Sequence, residues 1–285
     1  MSHFKRISVV GAGLIGGSVL FAAKKRNLAL TFSCWSHSES TLAFWKSCGW
    51  VVVHTSLEDS VRDADLVIIA TPVDKIRETF VKISASLKPG CLVTDVGSIK
   101  GAVLSAATAL PRGVTFIGSH PMAGSEKAGA KNAQADLFES RFCFITPKQG
   151  DQEAAIHKLE LFWQGLGSKT FICSAEKHDE IVAAISHTPH ASAAALMLAV
   201  KNLPGFNQAA VGAGLKDSTR IAAGEENLWV GILLANAQHV GQGLKEVEKQ
   251  TLILRTAIER GDAEALRKIL ESARIARQSL DQTHE

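Results

Sequence analysis

The chain has 285 residues, 46% of them hydrophobic, which is more length than one average domain requires, so two domains are expected. Its 31 basic and 28 acidic residues give a net charge of +3 with no block of one sign, which argues against nucleic acid as a partner. The five cysteines are widely spaced and never form a C-x-x-C pair, so neither a disulfide framework nor a metal site is indicated, and a reducing, cytoplasmic compartment is favoured.

An apolar run at residues 7–23 superficially resembles a signal peptide or a membrane anchor, because Lys5 and Arg6 precede it. Four glycines interrupt the run. We expect no other apolar stretch of the roughly 20 residues that a membrane-spanning helix needs. The sequence therefore predicts no membrane association.

Short β-branched apolar runs alternate with amphipathic stretches in the first part of the chain. These runs are predicted to be strands, at 7–10, 30–35, 51–53, 66–70, 92–95, 115–118, 142–146 and 170–173. Such alternation is typical of a parallel sheet with crossover helices, and continuous apolar character indicates burial on both faces. We predict a Rossmann-type, doubly wound, mostly parallel sheet in an α/β domain at residues 1–174.

Alanine- and leucine-rich segments without strand-like runs follow residue 174. They predict an all-helical second domain at residues 175–285, with helices at 175–201, 208–223, 226–260 and 263–280. Pro189 lacks an N–H and is expected to kink the first of these helices, because the carbonyl of Ile185 loses its partner.

The segment V-V-G-A-G-L-I-G-G places Gly11, Gly13 and Gly16 in a G-x-G-x-x-G pattern between a predicted strand and a helix. In this pattern the first glycine makes the tight turn, the second admits a pyrophosphate, and the third permits close packing of helix and strand. A nicotinamide dinucleotide is therefore expected here. The further predicted cofactor contacts are Leu14, Ile15, Thr71 and Pro72.

The end of the second strand distinguishes NAD from NADP in this fold. NAD-binding chains carry an Asp or Glu there for the ribose hydroxyls, whereas this chain has Ser36, His37 and Ser38, with no carboxylate before Glu39. All three side chains can donate hydrogen bonds to a 2′-phosphate. The sequence favours NADP over NAD; alternatively, this loop faces water.

Two polar segments follow predicted strands at the sheet edge where ligands bind in such folds. The first, D-V-G-S-I-K-G, contains Ser98, which either serves chemistry or caps the next helix. The second, G-S-H-P-M-A-G-S-E, contains His120 and Glu126. A histidine held there by its turn can accept a substrate hydroxyl proton at neutral pH.

Two further polar groups lie in the helical half. His187 and His190 share one helical face beside Pro189, and no carboxylate or thiolate at a recognised spacing completes a zinc site. Asp217 and Arg220 also share a face, and they form either an exposed ion pair or a site where the arginine holds a substrate carboxylate.

Together, the glycine loop and the segments D-V-G-S-I-K-G, G-S-H-P-M-A-G-S-E, H-D, S-H-T-P-H and K-D-S-T-R-I resemble those of the prephenate and arogenate dehydrogenase family of tyrosine biosynthesis. They run in family order from Gly11 to Trp229, so the resemblance covers nearly the whole chain. It implies NAD(P)-dependent oxidative decarboxylation, giving tyrosine from arogenate or 4-hydroxyphenylpyruvate from prephenate.

The resemblance also implies residue roles. His120 matches the catalytic histidine, Ser98 the serine bonded to it, and Arg220 the arginine that holds a substrate carboxylate. The other matched positions line or gate the family's pocket: His190, His187, His178, Glu126, Asp217 and Trp229. We therefore expect His120 and Arg220 to converge on one cleft beside the nicotinamide.

Homodimerisation through the helical domain is implied in the same way, and we expect no chorismate mutase segment or C-terminal regulatory domain. Two alternatives stay open: a β-hydroxyacid dehydrogenase, although Lys201 and Asn202 lack the spacing of its catalytic pair, and a non-enzymatic NADP(H) sensor. The choice between prephenate and arogenate also stays open, because Glu126, Asp179 and Asp217 are all acids that could recognise an ammonium group. By analogy with the family, a preference for NADP favours arogenate as the substrate.

Overall fold

A computed structural model describes residues 4–124 and 127–282. Its main sheet has six parallel strands in the order β3-β2-β1-β4-β5-β6. The strands are β1 Phe4–Val10, β2 Ala29–Trp35, β3 Val52–Val53, β4 Leu66–Ile69, β5 Leu92–Asp95 and β6 Thr115–Phe116. This order is that of a Rossmann fold, so the predicted fold class is confirmed.

Helices cover both faces of this sheet. They are α1 Leu14–Lys25, α2 Glu39–Cys48, α3 Leu57–Val61, α4 Val73–Ile83, α5 Gly101–Ala106 and α6 Glu153–Gly165. One core contains Leu20, Trp45 and Phe162, and a second core contains Phe80 and Val103. The four residues of β4 are buried against both cores, which explains why this strand is apolar throughout.

A smaller sheet consists of β7 Gly118–Pro121, β8 Phe142–Thr146 and β9 Lys169–Ile172, with β7 antiparallel to β8 and β8 parallel to β9. The prediction of one strand at 115–118 is therefore wrong, because the chain leaves the main sheet after β6 and enters the small sheet at Gly118. A Cβ at Gly118 would lie 2.5 Å from Thr146 Oγ1, so only glycine permits this approach to β8.

The remaining helices are α7 Ala175–Val182, α8 Thr188–Lys201, α9 Ala213–Thr219, α10 Glu226–Ala235, α11 Ala237–Glu259 and α12 Ala263–Gln282. A π-helical turn, Ala183–His187, lies between α7 and α8. This turn changes the hydrogen-bond spacing of the helix just before Pro189, where the sequence predicts a kink, and the kink itself stays a prediction.

Two other predicted helices are wrong in extent. The predicted helix at 208–223 is instead a 3-10 turn at Gln208–Ala210, then α9, then a 3-10 turn at Arg220–Ala223. The predicted helix at 226–260 breaks at Asn236, whose buried side-chain amide donates to the carbonyl oxygen of Asp179 at 2.8 Å. That long-range hydrogen bond fixes Asn236 outside helical geometry.

The chain forms two compact units. The first consists of the chain up to Val182 together with Gly224–Asn236, and the second of Ala183–Ala223 and the chain from Ala237 onward. The first unit therefore takes in α7 and α10, both of which lie beyond the sequence-based division at residue 174. As a division into functional domains, 1–174 and 175–285 stay predictions.

One helical run in the described ranges, 175–201, has the length and mean hydropathy (1.3) of a membrane-spanning segment. This corrects the expectation that no such stretch follows the N-terminal run. Core helices of globular proteins have the same length and composition, so this feature by itself identifies neither environment.

Candidate active site

The glycine loop adopts the geometry that its pattern predicts. Gly11 has φ +92°, and a Cβ there would lie 2.6 Å from the carbonyl oxygen of Ala70 at the end of β4. A Cβ at Gly16 would lie 2.8 Å from Val9 Cγ1, so this glycine sets the approach of α1 to β1. Around Gly13, apart from its chain neighbours, no atom of the described residues lies within 4 Å of such a Cβ, so the space above this residue is open to a ligand.

The loop is held from behind by Trp45. Its buried indole N–H donates to the carbonyl oxygen of Ala12 at 2.8 Å, inside the G-A-G segment. No local pattern predicts this role, because α2 contacts the loop only in the folded chain. Trp45 thereby couples the aromatic core next to α1 to the position of the loop.

At the end of β2, the two serines are engaged locally. Ser36 Oγ accepts a hydrogen bond from the backbone N–H of Ser38 at 3.2 Å, and Ser38 Oγ caps α2 by accepting from the N–H of Thr41 at 3.4 Å. His37 is exposed and lines a cavity of about 480 Å³. The other lining residues are Trp35, Leu57, Thr71, Pro72, Lys75, Glu78, Thr79 and Lys82.

Thr71 and Pro72 follow β4 at the same edge of the sheet. Pro72 is the N-cap residue of α4. The hydroxyl of Thr71 is buried and has no hydrogen-bond partner in the described structure. A buried, unsatisfied hydroxyl is unfavourable, and a polar group of a dinucleotide would satisfy it. The glycine loop and Thr71 thus fit a nicotinamide dinucleotide.

His120 lies within β7, which corrects the prediction that it follows a strand in a turn. Its side chain is buried, with 9% of the residue exposed, and its ring stacks near Phe144 of β8 at a centroid distance of 6.4 Å. A strand next to its partner strand holds the ring more firmly than a loop does. His120 is therefore a rigidly placed imidazole.

His120 is the first member of a hydrogen-bonded chain. Its Nδ1 lies 2.8 Å from Nε2 of His178, and Nδ1 of His178 lies 2.7 Å from Oδ1 of Asp179. The backbone N–H groups of Lys100 and Gly101 donate to the two oxygens of Asp179, each at 2.8 Å. The carboxylate thus occupies the N-terminus of α5, where orphan N–H groups favour negative charge.

Burial and hydrogen bonding determine the charges of His178 and Asp179. Burial lowers the pKa of His178, and its hydrogen bond to Asp179 opposes the shift only in part. Burial acts to raise the pKa of Asp179, but hydrogen bonds from His178, Lys100 and Gly101 outweigh it and hold this pKa below its ordinary value. At neutral pH His178 is therefore neutral and Asp179 is ionised.

Lys100 ties the loop after β5 to β7. Its ammonium group contacts the carboxylate of Asp95 and donates to the carbonyl oxygen of Ser119 at 2.7 Å. Burial raises the pKa of Asp95 and lowers that of Lys100, while the contact between the two groups opposes both shifts. Both side chains are almost fully excluded from water, so this pair fixes the segment that precedes His120.

Ser98 is half-buried in the loop that Lys100 anchors. The interpretation of Ser98 as a helix cap is wrong, because α5 begins at Gly101 with Lys100 as N-cap residue and Asp179 supplies the capping oxygens. This leaves the chemical interpretation of Ser98 as the prediction for its hydroxyl.

The predicted substrate residues of the helical half divide by exposure. His187 and His190 are buried, on the π-helical turn and on α8, and burial lowers the pKa of His190. A π-helical turn is frequent at functional sites. Asp217 and Arg220 are exposed, and no ion pair joins these two described residues, so the interpretation of the motif as a surface ion pair is wrong.

The other predicted substrate residues belong to the first unit or are not described. His178 is fully buried. Trp229 is half-buried on α10. Glu126 lies outside the described residues. His120 belongs to the first compact unit and Arg220 to the second, and their convergence on one cleft stays a prediction.

Sequence reasoning named Asp179 only as an acid that could recognise an ammonium group. The structure shows that its two oxygens already accept three hydrogen bonds. The only signal in the sequence is the adjacency of His178 and Asp179 in the H-D segment. The roles of Lys100 and Asn236 were also missed, because their partners lie 5 to 57 residues away along the chain.

Two family models match the chain in succession. The model described as the nucleotide-binding domain of prephenate dehydrogenase matches residues 22–172, and the model described as its dimerization domain matches residues 174–272. The first match begins after the glycine loop, so that loop is judged on its own geometry.

Individual relatives agree with these models. The chain is 33% identical to prephenate dehydrogenase of Bacillus subtilis over 96% of this chain and 76% of the relative, and 30% identical to cyclohexadienyl dehydrogenase of Zymomonas mobilis over 100% and 99%. A crystal structure of prephenate dehydrogenase from A. aeolicus with hydroxyphenyl propionate and NAD+ superimposes with a TM-score of 0.89 at 28% identity, covering 97% of this chain and 98% of that one. This chain therefore belongs to the prephenate dehydrogenase family.

Proposed function

We propose that the protein catalyses the NAD(P)-dependent oxidative decarboxylation of prephenate, arogenate or both. The observation that carries the proposal is the His120–His178–Asp179 chain, which holds an imidazole in the same compact unit as an open glycine loop. Family membership supplies the reaction class that uses these two parts together. It does not favour a β-hydroxyacid dehydrogenase or a non-enzymatic sensor.

The reaction needs a base, a hydride acceptor and a cationic clamp. When bound, the nicotinamide accepts the hydride that leaves ring C4 of the substrate. His120 accepts the proton of the C4 hydroxyl, which becomes a carbonyl as the hydride leaves. The C1–carboxylate bond then breaks, its electron pair enters the ring, and His120 returns the proton to the phenolate oxygen as CO2 departs. Aromatisation drives this step.

The remaining residues would bind the substrate. Arg220 is proposed to pair with a substrate carboxylate, which suits the fork of donors on a guanidinium. Ser98 is proposed to hydrogen-bond the C4 hydroxyl beside His120. The pocket is proposed to be completed by His178, His187, His190, Glu126, Asp217 and Trp229. Both oxygens of Asp179 already accept hydrogen bonds within the protein. Glu126 and Asp217 are therefore the better candidates to recognise the ammonium group of arogenate.

We propose NADP as the preferred cofactor. Ser36, His37 and Ser38 place no carboxylate at the end of β2, where one would repel a 2′-phosphate. The neighbouring cavity adds Lys75, and its one carboxylate, Glu78, is paired with Lys82 at 2.7 Å. Gly11, Gly13, Leu14, Ile15 and Gly16 are proposed to contact the pyrophosphate, and Thr71 and Pro72 the adjoining part of the cofactor.

A homodimer through the helical domain and a cytoplasmic location complete the proposal. The match to a dimerization domain supports the dimer. Apolar side chains exposed on α10 and α11, among them Leu234, Leu252 and Ile258, would be covered in it.

The test is to measure kcat/KM for prephenate and for arogenate, each with NAD and with NADP. We expect turnover with at least one substrate, a higher kcat/KM with NADP than with NAD, and a higher kcat/KM for arogenate than for prephenate. Failure of all four combinations to yield reduced cofactor, with a folded protein that binds dinucleotide, would instead support a sensor.

A further inference from the structure

We infer that His178 and Asp179 are positioning residues that lock His120 in the tautomer with its proton on Nδ1 and its lone pair on Nε2. The kinetic part of this inference rests on the proposed function. The tautomer itself is a property of the folded chain and does not depend on the substrate.

Asp179 determines which nitrogen of His178 carries the proton. An ionised carboxylate can only accept hydrogen bonds, so the 2.7 Å contact with His178 requires a proton on His178 Nδ1. The two backbone N–H groups at the start of α5 hold the carboxylate ionised and fixed. Gly101 makes this approach possible, because a Cβ there would lie 3.0 Å from Oδ2 of Asp179.

The second step concerns His178. A neutral imidazole carries one N–H, and burial keeps His178 neutral by lowering its pKa. With its proton on Nδ1, its Nε2 is an acceptor. The 2.8 Å contact between this atom and His120 Nδ1 therefore requires His120 to donate. Phe144 packs edge-on against the ring of His178, with centroids 5.0 Å apart.

The third step is the consequence for His120. A neutral His120 whose proton is committed to Nδ1 has its lone pair on Nε2, the form that a general base needs. In the free amino acid both tautomers interconvert, so a histidine without this chain would spend part of its time with the wrong nitrogen protonated. In a Ser-His-Asp triad a carboxylate orients the catalytic histidine directly. Here the carboxylate of Asp179 acts on His120 through a second histidine, His178.

Nitrogen NMR of ring-labelled histidines at pH 8, without substrate or cofactor, tests the tautomer directly. The His120 signals are assigned by their loss in His120→Asn. We expect wild-type His120 to show a protonated Nδ1 and an unprotonated Nε2. Protonation on Nε2 in the wild-type protein would overturn the inference, and the His120→Asn variant serves only to assign the signals.

Variants identify the source of the tautomer. In Asp179→Asn, one of the two backbone N–H groups faces an NH2 group and the negative charge is lost, so the proton of His178 is held less firmly on Nδ1 and the share of His120 with its proton on Nε2 should rise. In His178→Leu the bias should disappear, whereas in His178→Gln an amide can still link His120 to Asp179 and should restore part of it. The control is His157→Gln, since His157 is an exposed histidine 3.7 Å from Glu160 on α6 and should leave His120 unchanged. Unchanged His120 signals in both Asp179→Asn and His178→Leu would overturn the assignment.

Kinetics separate this inference from the proposed function. We expect kcat of Asp179→Asn to fall roughly 10²- to 10⁴-fold, the scale for loss of a general base, with His178→Gln between it and wild type. The acid limb of the kcat profile should move to lower pH, because the imidazolium of His120 loses a nearby negative charge. The other titratable groups near His120 and His178 are unchanged in these variants; they are Lys100, Asp95 and Cys143.

If the wild-type protein shows the expected tautomer but turns over neither substrate, the proposed function is wrong and the tautomer is still established. Conversely, a larger share of the Nε2 tautomer in Asp179→Asn with wild-type kcat would show that the lock has no role in the reaction.

Discussion

The ammonium group of Lys100 and the carboxylate of Asp95 form an ion pair with 1% and 0% of their side chains exposed. Lys100 also donates to Ser119, one residue before His120, so the pair joins the loop that bears Ser98 to the strand that bears the imidazole. The two polar segments that the sequence singled out are thus one structural unit.

Breaking this pair should be costly. In Lys100→Met the carboxylate of Asp95 stays buried without its cation, and we expect the free energy of unfolding to fall by about 3–5 kcal/mol. Urea denaturation measures this. The double variant Lys100→Met, Asp95→Leu should recover part of the loss, and a loss below about 1 kcal/mol in the single variant would contradict the structural role.

The second and third glycines of the G-x-G-x-x-G pattern should separate cofactor binding from folding. Gly13→Ala adds a Cβ into open space, so we expect near-normal stability and weaker dinucleotide binding. Gly16→Ala places its Cβ against Val9 and should lower the melting temperature. Thermal unfolding and dinucleotide titration of both variants check this, and tight cofactor binding by Gly13→Ala would remove the pyrophosphate from this loop.

Stability should fall in acid in two steps. Burial lowers the pKa of His54, His178 and His190, so the unfolded chain binds protons more readily, and stability is lost as pH falls through about 6.5. Asp179 has a lowered pKa in the fold, so its contribution is complete above the unfolded value near 3.8 and disappears as pH falls below it. Urea midpoints at pH 8, 6.5, 5 and 3.5 measure both steps. Equal midpoints at pH 8 and pH 5 would contradict the first.

Cofactor preference should change if His37 and Lys75 contact the 2′-phosphate. His37→Ala and Lys75→Met should each lower the preference for NADP over NAD, because each removes a hydrogen-bond donor beside the phosphate. KM for both cofactors measures this in wild type and in both variants. An unchanged ratio in His37→Ala would exclude His37 as a residue that contacts the phosphate.

Substitutions at the two proposed reaction partners should affect different kinetic constants. His120→Asn should lower kcat roughly 10²- to 10⁴-fold, the usual scale for a general base. Arg220→Gln should chiefly raise KM, because it removes binding that the ground state and the transition state share. Steady-state kinetics distinguish the two effects, and near-normal kcat in His120→Asn would remove this residue from the chemistry.

Local patterns predicted most of the fold. β-branched apolar runs located the strands, and the glycine pattern located the turn from β1 to α1, because these features depend on neighbouring residues. The switch of sheets at Gly118 depends on contact with Thr146, and the break at Asn236 depends on a hydrogen bond to Asp179. Neither partner is near in sequence, and asparagine is compatible with a helix interior, so no local pattern predicts these features.

The same distinction holds at the candidate site. His120 and Ser98 stood out as polar residues at a sheet edge, a position that sequence periodicity can find. Asp179 and Lys100 did not, since Asp179 acts through buried contacts with segments 78 to 79 residues away and Lys100 through a contact with Ser119, 19 residues away. Sequence reasoning located the proposed reactive group and named His178 and Asp179, but not the hydrogen bonds that join them to it.

The described chain leaves its first compact unit after Val182, returns to it at Gly224 and leaves it again after Asn236. The backbone therefore passes between the two units three times rather than once. No single cut separates them, and a shortened protein ending at residue 174 would lack both α7 and α10. Such a fragment would lose His178 and Asp179 while keeping the complete glycine loop. Engineers who wish to exchange the helical part between relatives would therefore need to graft two separate segments, leaving Gly224–Asn236 with the host.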